Sequence, residues 1–419
     1  MKRCLILLTV GFPFGSGETF LESEIEYLRA GFDRIIIFAQ DIDSSEKTMR
    51  KIPDGVEAYN IAMRSKKAGR VSDLFGGILK LFMPTAEYYA DKKYVGLSPF
   101  KKYFLEYFET RSKRHFSEML NSAGKDAFSD FDEFVIYSYW FFTTARCGMM
   151  LKNHLDGKRV VFISRAHGYD VYDYINRLSY LPERETLLNS VDRLFVCSKC
   201  GCEYLRGKYP EFADKICHTY LGTTDHGVTA HKRGDVFRIV TCSRLIPLKR
   251  VDKVAAALRL LKNSGLKFSW THIGGGHEFK KIKKYADKNL GFMDVSFKED
   301  VPNSDVFGFY SDGTPDIFIN VSKSEGVPVS IMEAASFGIP AIATDVGGNS
   351  EIVENGVSGF LIKPDFLLRE LADKILAVAR LSDGEYDALR SNARKIWEER
   401  FSAEKNYRSF SETISDMLS

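Results

Sequence analysis

No apolar run in this chain of 419 residues approaches the length of a membrane-crossing helix, so no transmembrane segment is expected. The opening MKRCLILLTVGF has two basic residues and an apolar stretch, yet no small-residue cleavage site follows. It reads as a buried first strand of a cytoplasmic protein rather than as a signal peptide. An excess of one charge is also missing: 59 Lys and Arg stand against 56 Asp and Glu, and the net charge of +3 says little about partners. No recognised RNA- or DNA-binding module is present, so nucleic acid is not an expected partner. Metal signatures are thin. The seven cysteines are scattered, mostly in strand-like runs, as reduced buried thiols are. The cluster CSKCGC, followed by Cys217 and His218, lacks the second CxxC pair of a zinc site, and its Cys197 ends the apolar run RLFVC. A D-x-D at Asp41–Asp43 falls just past an apolar run and reads as a solvated turn. No resident metal or cofactor is expected. Internal repeats and low-complexity segments are lacking too.

What is present is an alternation. At 419 residues, two domains are the prior. Short continuous apolar runs at 4–10, 34–40, 133–139, 159–165 and 193–198 alternate with amphipathic stretches, and a second series runs through 237–243, 267–274, 316–322 and 339–345. Strands that are apolar on both faces, separated by helices, mean parallel sheet covered on both sides. The expected fold class is therefore α/β, with two doubly wound Rossmann-like domains. The first spans about 1–225 and the second 236–400. The polar, glycine-containing TDHGVTAHKRGD (224–235) reads as the linker. The last residues, 401–419, form a helix expected to pack back on the first domain.

Open parallel sheets bind ligands at the carboxyl ends of their strands, so chemical residues belong in strand-to-helix loops. The most informative such loop is SEGVPVSIMEAASFGIP. Pro328 near its start and Gly338–Pro340 at its end bracket a helix over 328–337. Glu325 precedes that helix and Glu333 lies within it. A helix N-terminus suits a phosphate, and carboxylates accept from sugar hydroxyls. The plain alternative is that Glu333 caps the helix with Ser330. After the run 237–243, Arg244 and Lys249 flank Pro247 and form a cation pair suited to a diphosphate leaving group. After 159–165 comes HGYD, whose His167 can donate to a sugar hydroxyl or a departing phosphate, or can be a satisfied core histidine. After the first run, Gly15 and Gly17 allow a close backbone approach to a ligand, or simply make a tight turn.

Together, Arg244 and Lys249, the block EGVPVSIMEAASFGIPAIATDVGGNSEIVENGVSGFLI and HGYD after a strand resemble the retaining GT-B glycosyltransferases of family four. The loop FPFGSGETFLESEI is similar to that of enzymes assembling bacterial exopolysaccharide, capsule or lipopolysaccharide. The resemblance spans nearly all of the second domain and is patchier in the first. It implies two domains facing across a cleft and a nucleotide-diphosphate sugar as donor. It further implies metal-independent transfer to a glycan or polyprenyl-diphosphate-linked acceptor, with anomeric configuration retained. In that reading Glu333 holds the ribose and Glu325 lies by the donor sugar. The backbone of Gly326, Val327, Pro328 and Val329 meets sugar and phosphate. Arg244 and Lys249 neutralise the leaving diphosphate, and His167 sits near the transferred sugar. Gly15 and Gly17 border the reaction centre, and Val301 lies where the base is contacted. A nucleotide-sugar epimerase of the same architecture stays open, as does a catalytically silent binding subunit.

Residues 64–114 break the first alternation. They carry 12 Lys or Arg against 5 Asp or Glu, with aromatics interleaved. This pattern fits a peripheral contact with the anionic inner face of a membrane, or a helical insertion packing on its own domain.

Overall fold

The computed structural model describes residues 2–15, 17–47, 49–62, 66–81, 85–124, 127–228, 231, 233–299, 301–312 and 315–418. Ser16, between the two glycines of the first loop, and Arg64 and Phe82 of the insertion lie outside the described residues. The chain divides into two compact units: Met1–Leu221 with Glu404–Ser419, and Gly222–Ala403.

The first unit holds seven strands: β1 (Arg3–Thr9), β2 (Arg34–Ala39), β3 (Val56–Asn60), β4 (Glu133–Ser138), β5 (Arg159–Ala166), β6 (Arg193–Val196) and β7 (Ile216–His218). They form one parallel sheet in the order β3-β2-β1-β4-β5-β6-β7. The run CLILLT sends Cys4, Ile6 and Leu8 into one apolar cluster and Leu5 and Leu7 into another. The period of two thus fills two cores, one on each face. The second unit holds β8 (Val236–Cys242), β9 (Lys267–Ile273), β10 (Asp294–Lys298), β11 (Ile317–Asn320), β12 (Ala341–Thr344) and β13 (Gly359–Ile362), parallel in the order β10-β9-β8-β11-β12-β13. Each unit is a doubly wound α/β sheet.

Four strands escape the sequence reading: β3, β7, β10 and β13. They are the two edge strands of each sheet. An edge strand has one neighbour and less cover, so it needs no continuous apolar run. DVSFK of β10 has no fully buried residue, and VEAYN of β3 buries only Val56.

The segment expected as a linker is docked rather than free at its start. Thr223 bonds backbone-to-backbone with Phe401 and Ala403, and its hydroxyl accepts from Trp397 Nε1 at 2.7 Å. Asp225 takes a bidentate pair from Arg394 at 2.7 and 2.8 Å. The C-terminal helix Ala403–Asp416 belongs to the first unit, where Phe410, Ile414 and Leu418 join the cluster around Leu5 and Leu7.

The insertion is helical: Lys66–Lys80, Ala86–Val95 and Pro99–Ala123, the last running beyond the expected limit at 114. Asp41 is not a solvated turn residue. It pairs with Arg111 at 2.9 Å and Arg70 at 3.3 Å, and so ties the loop after β2 to the insertion. No helix of the described residues is long and apolar enough to cross a membrane.

Candidate functional site

In the second unit the candidate residues lie where β8 and β11 end. The helix after β11 is Val329–Ser336, one residue shorter at each end than expected. Pro328 is extended at φ −73°, ψ 115°, and stands just before the first helical residue. Its ring fixes φ and it has no N–H to lose, so it suits a helix entry. The Ser330–Glu333 capping box does not form, because the cap position is Pro328 and no side chain caps the helix. Ile331 N and Met332 N already donate to Pro328 O, at 3.1 and 3.3 Å, so the amides of Val329 and Ser330 are the ones open to an anion.

Two neighbouring loops set this segment. Gly348 N donates to Gly326 O at 2.6 Å, and a Cβ on Gly347 would fall 1.9 Å from Glu325 O. No other residue fits at 347, where φ is also +53°. On the other side, Lys323 N donates to Leu248 O at 2.9 Å. Arg250 makes that junction rigid: its buried guanidinium donates to Val321 O and Pro364 O at 2.6 Å and to Ser322 O at 2.9 Å. Sequence reading missed Arg250, although a third basic residue next to Lys249 was visible in PLKRVDK.

Lys249 and Glu325 are together. Lys249 Nζ donates to Glu325 Oε1 at 2.6 Å, and Asn320 Nδ2 donates to the same oxygen at 3.2 Å. The two cations after β8 are therefore not equivalent. Arg244 is exposed, and among the described residues its side chain has no hydrogen-bond or ion-pair partner. Its loop is held by backbone bonds from Leu245 N to Gly275 O at 2.8 Å and from Ser243 N to Ile273 O at 2.9 Å. This contact is close: a Cβ on Gly274 would lie 2.3 Å from Ser243 O. The glycines of HIGGGHEF thus seat the Arg244 loop.

Glu333 projects from the helix beside Cys242 and Tyr310, and its carboxylate has no partner among the described residues. Lost hydration alone raises its pKa to about 8. A folded-state pKa above the unfolded value means this group favours the folded state at low pH, an advantage lost as pH rises through about 8. A ligand whose hydroxyls donate to the carboxylate must select the ionised form. Affinity for a nucleoside diphosphate is then expected to rise about tenfold from pH 7 to pH 9, as the ionised fraction grows. Isothermal titration at both values checks this, and Glu333→Gln should flatten the profile. Val301 is half-buried in the loop after β10 and lies on the same end of the sheet as these residues.

In the first unit, the loop after β1 and His167 after β5 are brought together by Trp140. Its indole N–H donates to Glu18 Oε1 at 2.6 Å, and its ring centroid lies 4.4 Å from that of His167. Glu18 is the residue that sequence reading missed. Its carboxylate accepts from the amides of Val10 at 3.0 Å and of Gly11 and Phe12 at 2.7 Å. The amide nest of this loop is thereby filled by the chain's own carboxylate. Gly15 has the left-handed φ of +67°; Gly17 does not, and a Cβ there would meet nothing within 4 Å.

His167 has both ring nitrogens engaged. Nε2–H donates to Tyr139 O at 3.1 Å, and Nδ1 faces Cys197 Sγ at 3.4 Å. Burial, then the charge of Arg165, pushes its pKa down to about 3, so the ring is neutral. Asp170 shapes the HGYD turn by accepting from His167 N at 2.6 Å and Phe141 N at 2.7 Å. In this arrangement His167 is positioned by the protein and holds no proton for acid catalysis at neutral pH. Cys197 is engaged with His167, and among the described residues no group of three or more His, Cys, Asp or Glu is placed to hold a metal ion.

Residues 228–396 match the family described as glycosyl transferases group 1, and the chain has the GT-B fold. Among curated proteins, the chain is similar to the amylovoran biosynthesis glycosyltransferase AmsK of Erwinia amylovora. The two are 31% identical over 42% of this chain and 44% of that protein. It is also similar to the UDP-Gal:alpha-D-GlcNAc-diphosphoundecaprenol alpha-1,3-galactosyltransferase of Escherichia coli, at 31% identity over 35% of this chain and 36% of that one. The chain thus spans less than half the length of these two relatives. Among solved structures it resembles Anabaena Alr3699/HepE, which was solved in complex with UDP. Its TM-score is 0.63 at 17% identity, over 99% of this chain and 100% of that one.

Proposed function

We propose that this chain is a metal-independent glycosyltransferase of bacterial surface polysaccharide synthesis. It moves a sugar from a nucleotide-diphosphate sugar to a glycan or polyprenyl-diphosphate-linked glycan, with retention of anomeric configuration. The observation that carries this reading is the grouping, in the region that matches glycosyl transferases group 1, of a free Arg244, a Lys249–Glu325 pair and the N-terminus of helix Val329–Ser336. Arg244, Lys249 and the helix N-terminus all follow the carboxyl ends of the paired strands β8 and β11, and in this reading Arg244 and the helix amides meet the charge of the leaving diphosphate. Both curated relatives are transferases by name; one names a polysaccharide and the other a diphosphoundecaprenol-linked sugar.

In this reading Glu333 accepts from the ribose hydroxyls and Val301 borders the base. The backbone of Gly326, Val327, Pro328 and Val329 meets sugar and phosphate, and Glu325 accepts from the donor sugar. His167 and the Gly15–Gly17 loop border the transferred sugar. No carboxylate of the site is a nucleophile. The acceptor hydroxyl attacks from the face the diphosphate leaves, and the departing phosphate oxygen takes its proton. One C–O bond forms as another breaks, and Arg244 and the helix N-terminus receive the leaving charge. The enzyme works in the cytoplasm, at the inner face of the membrane where a lipid-linked acceptor lies.

A panel of nucleoside-diphosphate sugars, assayed with and without chelator against a lipid-linked acceptor analogue, tests the reading. Proton NMR of the product is expected to show the donor's anomeric configuration, at a rate the chelator leaves unchanged. An inverted product would remove the retaining mechanism. An epimerised donor formed without acceptor would replace transfer by isomerisation.

A further inference from the structure

The helix Lys66–Lys80 is built inside out. Its inward face carries Gly69, Asp73, Gly76 and Gly77, which follow a helical period and pack on helix Pro99–Ala123. The approach is close: a Cβ on Gly76 would meet Thr110 Cγ2 at 2.7 Å, and one on Gly77 would meet Tyr107 N at 3.2 Å. Asp73 is fixed there by a bidentate bond from Arg114, 2.8 Å to each oxygen. The apolar residues Val71, Leu74, Phe75, Ile78 and Leu79 occupy the opposite face, and all five are exposed, Phe75 by 64% and Leu79 by 75%. An ordinary surface helix turns such a stripe inward. At the same end of the helix pair, where Lys102 Nζ donates to Leu81 O, Leu97 and Phe100 are exposed as well.

The charges around this stripe are sorted by sign. Asp73, Asp91, Glu106 and Glu109 are buried, and Glu87 is half-buried in a 2.6 Å pair with Lys113. Among the described residues 66–114 no carboxylate is exposed, whereas Lys67, Arg70, Lys92 and Lys93 are. Arg70 is paired with Asp41 and Lys93 with Glu185, while Lys67, four residues before Val71 on the stripe's own face of the helix, is an exposed cation with no side-chain partner among the described residues. A second copy set against this face would bring cation to cation. A bilayer with anionic headgroups matches both features: apolar side chains enter the headgroup–acyl boundary and cations meet the lipid charge.

We propose that helix Lys66–Lys80 is a membrane-docking element of this chain, with Val71, Leu74, Phe75 and Ile78 entering an anionic leaflet. The proposal rests on the transferase reading only in that a lipid-linked acceptor would be met at this surface. The test floats the full chain with vesicles of phosphatidylcholine alone or mixed with phosphatidylglycerol. Binding is expected to the mixed vesicles, weakened by salt. The double variant Phe75→Glu/Ile78→Glu should lower partitioning about tenfold or more. Lys67→Glu should lower it about fivefold or more, on anionic vesicles only. Because these side chains are exposed, folding should be unaffected, and the thermal shift given by UDP should match the parent's. Phe75→Trp should emit at shorter wavelength on anionic vesicles and be quenched by lipids brominated on the acyl chain.

Equal partitioning of parent and double variant, or no preference for anionic lipid, would overturn the proposal. So would a dimer in sedimentation velocity that the double variant abolishes. Loss of vesicle binding with the UDP shift kept in every variant removes only the docking element. Absence of any nucleotide shift with intact, lipid-selective docking removes the transferase reading and leaves the surface.

Discussion

Arg244→Ala is expected to lower kcat by about 10²–10³, with much less change in donor affinity. Lys249 already holds Glu325 at 2.6 Å, so part of its charge is spent before any donor arrives. Arg244 is exposed and its side chain has no partner among the described residues, so in the proposed transferase its guanidinium is the cation left for the charge that develops as the diphosphate departs. A group that acts on developing charge alters turnover more than binding. Lys249→Ala should behave differently. It leaves Glu325, whose side chain is 9% exposed, without its cation and beside an anionic ligand. Donor affinity should then fall together with turnover. The double variant Lys249→Ala/Glu325→Ala should bind the nucleoside diphosphate, which lacks the sugar that Glu325 would hold, better than Lys249→Ala alone, because the uncompensated carboxylate is gone. Steady-state kinetics with titrations of donor and of nucleoside diphosphate decide the matter. An Arg244→Ala enzyme at parental kcat would take the leaving-group role away from this residue.

The unequal state of the two cations could not be read from SRLIPLKR. Spacing put Arg244 and Lys249 on one loop, but it did not show that Lys323 N and Arg250 pull the loop onto the end of β11, where Glu325 waits. The helix after β11 was legible to within a residue, since Pro328 and Gly338 bracket it and their chemistry is local. The central strands were legible because most are buried on both faces and read as continuous apolar runs, although β9, KFSWTHI, alternates buried and half-buried residues. The edge strands β3, β7, β10 and β13 were not, because their pairing comes from a neighbour already in place. Glu18 was hidden for a related reason. A single glutamate after a glycine loop gives no signal that three amides and the Trp140 indole will converge on it. His167 was visible as a residue at a strand end, yet its neutrality depends on burial and on the charge of Arg165, which only the fold assembles.

Arg165 itself carries the largest expected effect on stability. It lies on β5, two residues before His167, and neither it nor Glu24 has any side-chain exposure. Arg165 Nη2 donates to Glu24 Oε1 at 3.1 Å, and Nε donates to Tyr137 Oη at 2.7 Å, while the Tyr137 hydroxyl donates in turn to Glu24 Oε1 at 2.8 Å. The guanidinium also sits 4.2 Å over the ring of Phe410, which comes from the C-terminal helix. Arg165→Leu would leave a buried Glu24 charged with only the hydroxyls of Tyr137 and Tyr139 as partners, or force it to take up a proton. Either outcome is expected to cost the first unit about 3–5 kcal/mol. Arg165→Leu/Glu24→Leu should recover much of that loss, since no buried charge then lacks a partner. Unfolding of a two-unit chain need not be a single transition, so hydrogen exchange over residues 404–418 is the direct measurement. Protection there should collapse in the single variant and return in the double. The charge of Arg165 also helps to hold down the pKa of His167, so the double variant should titrate that ring at a higher pH than the parent does. A double variant no better protected than the single would mean that the ion pair contributes through its shape, as packing for Phe410, and not through the matching of its charges.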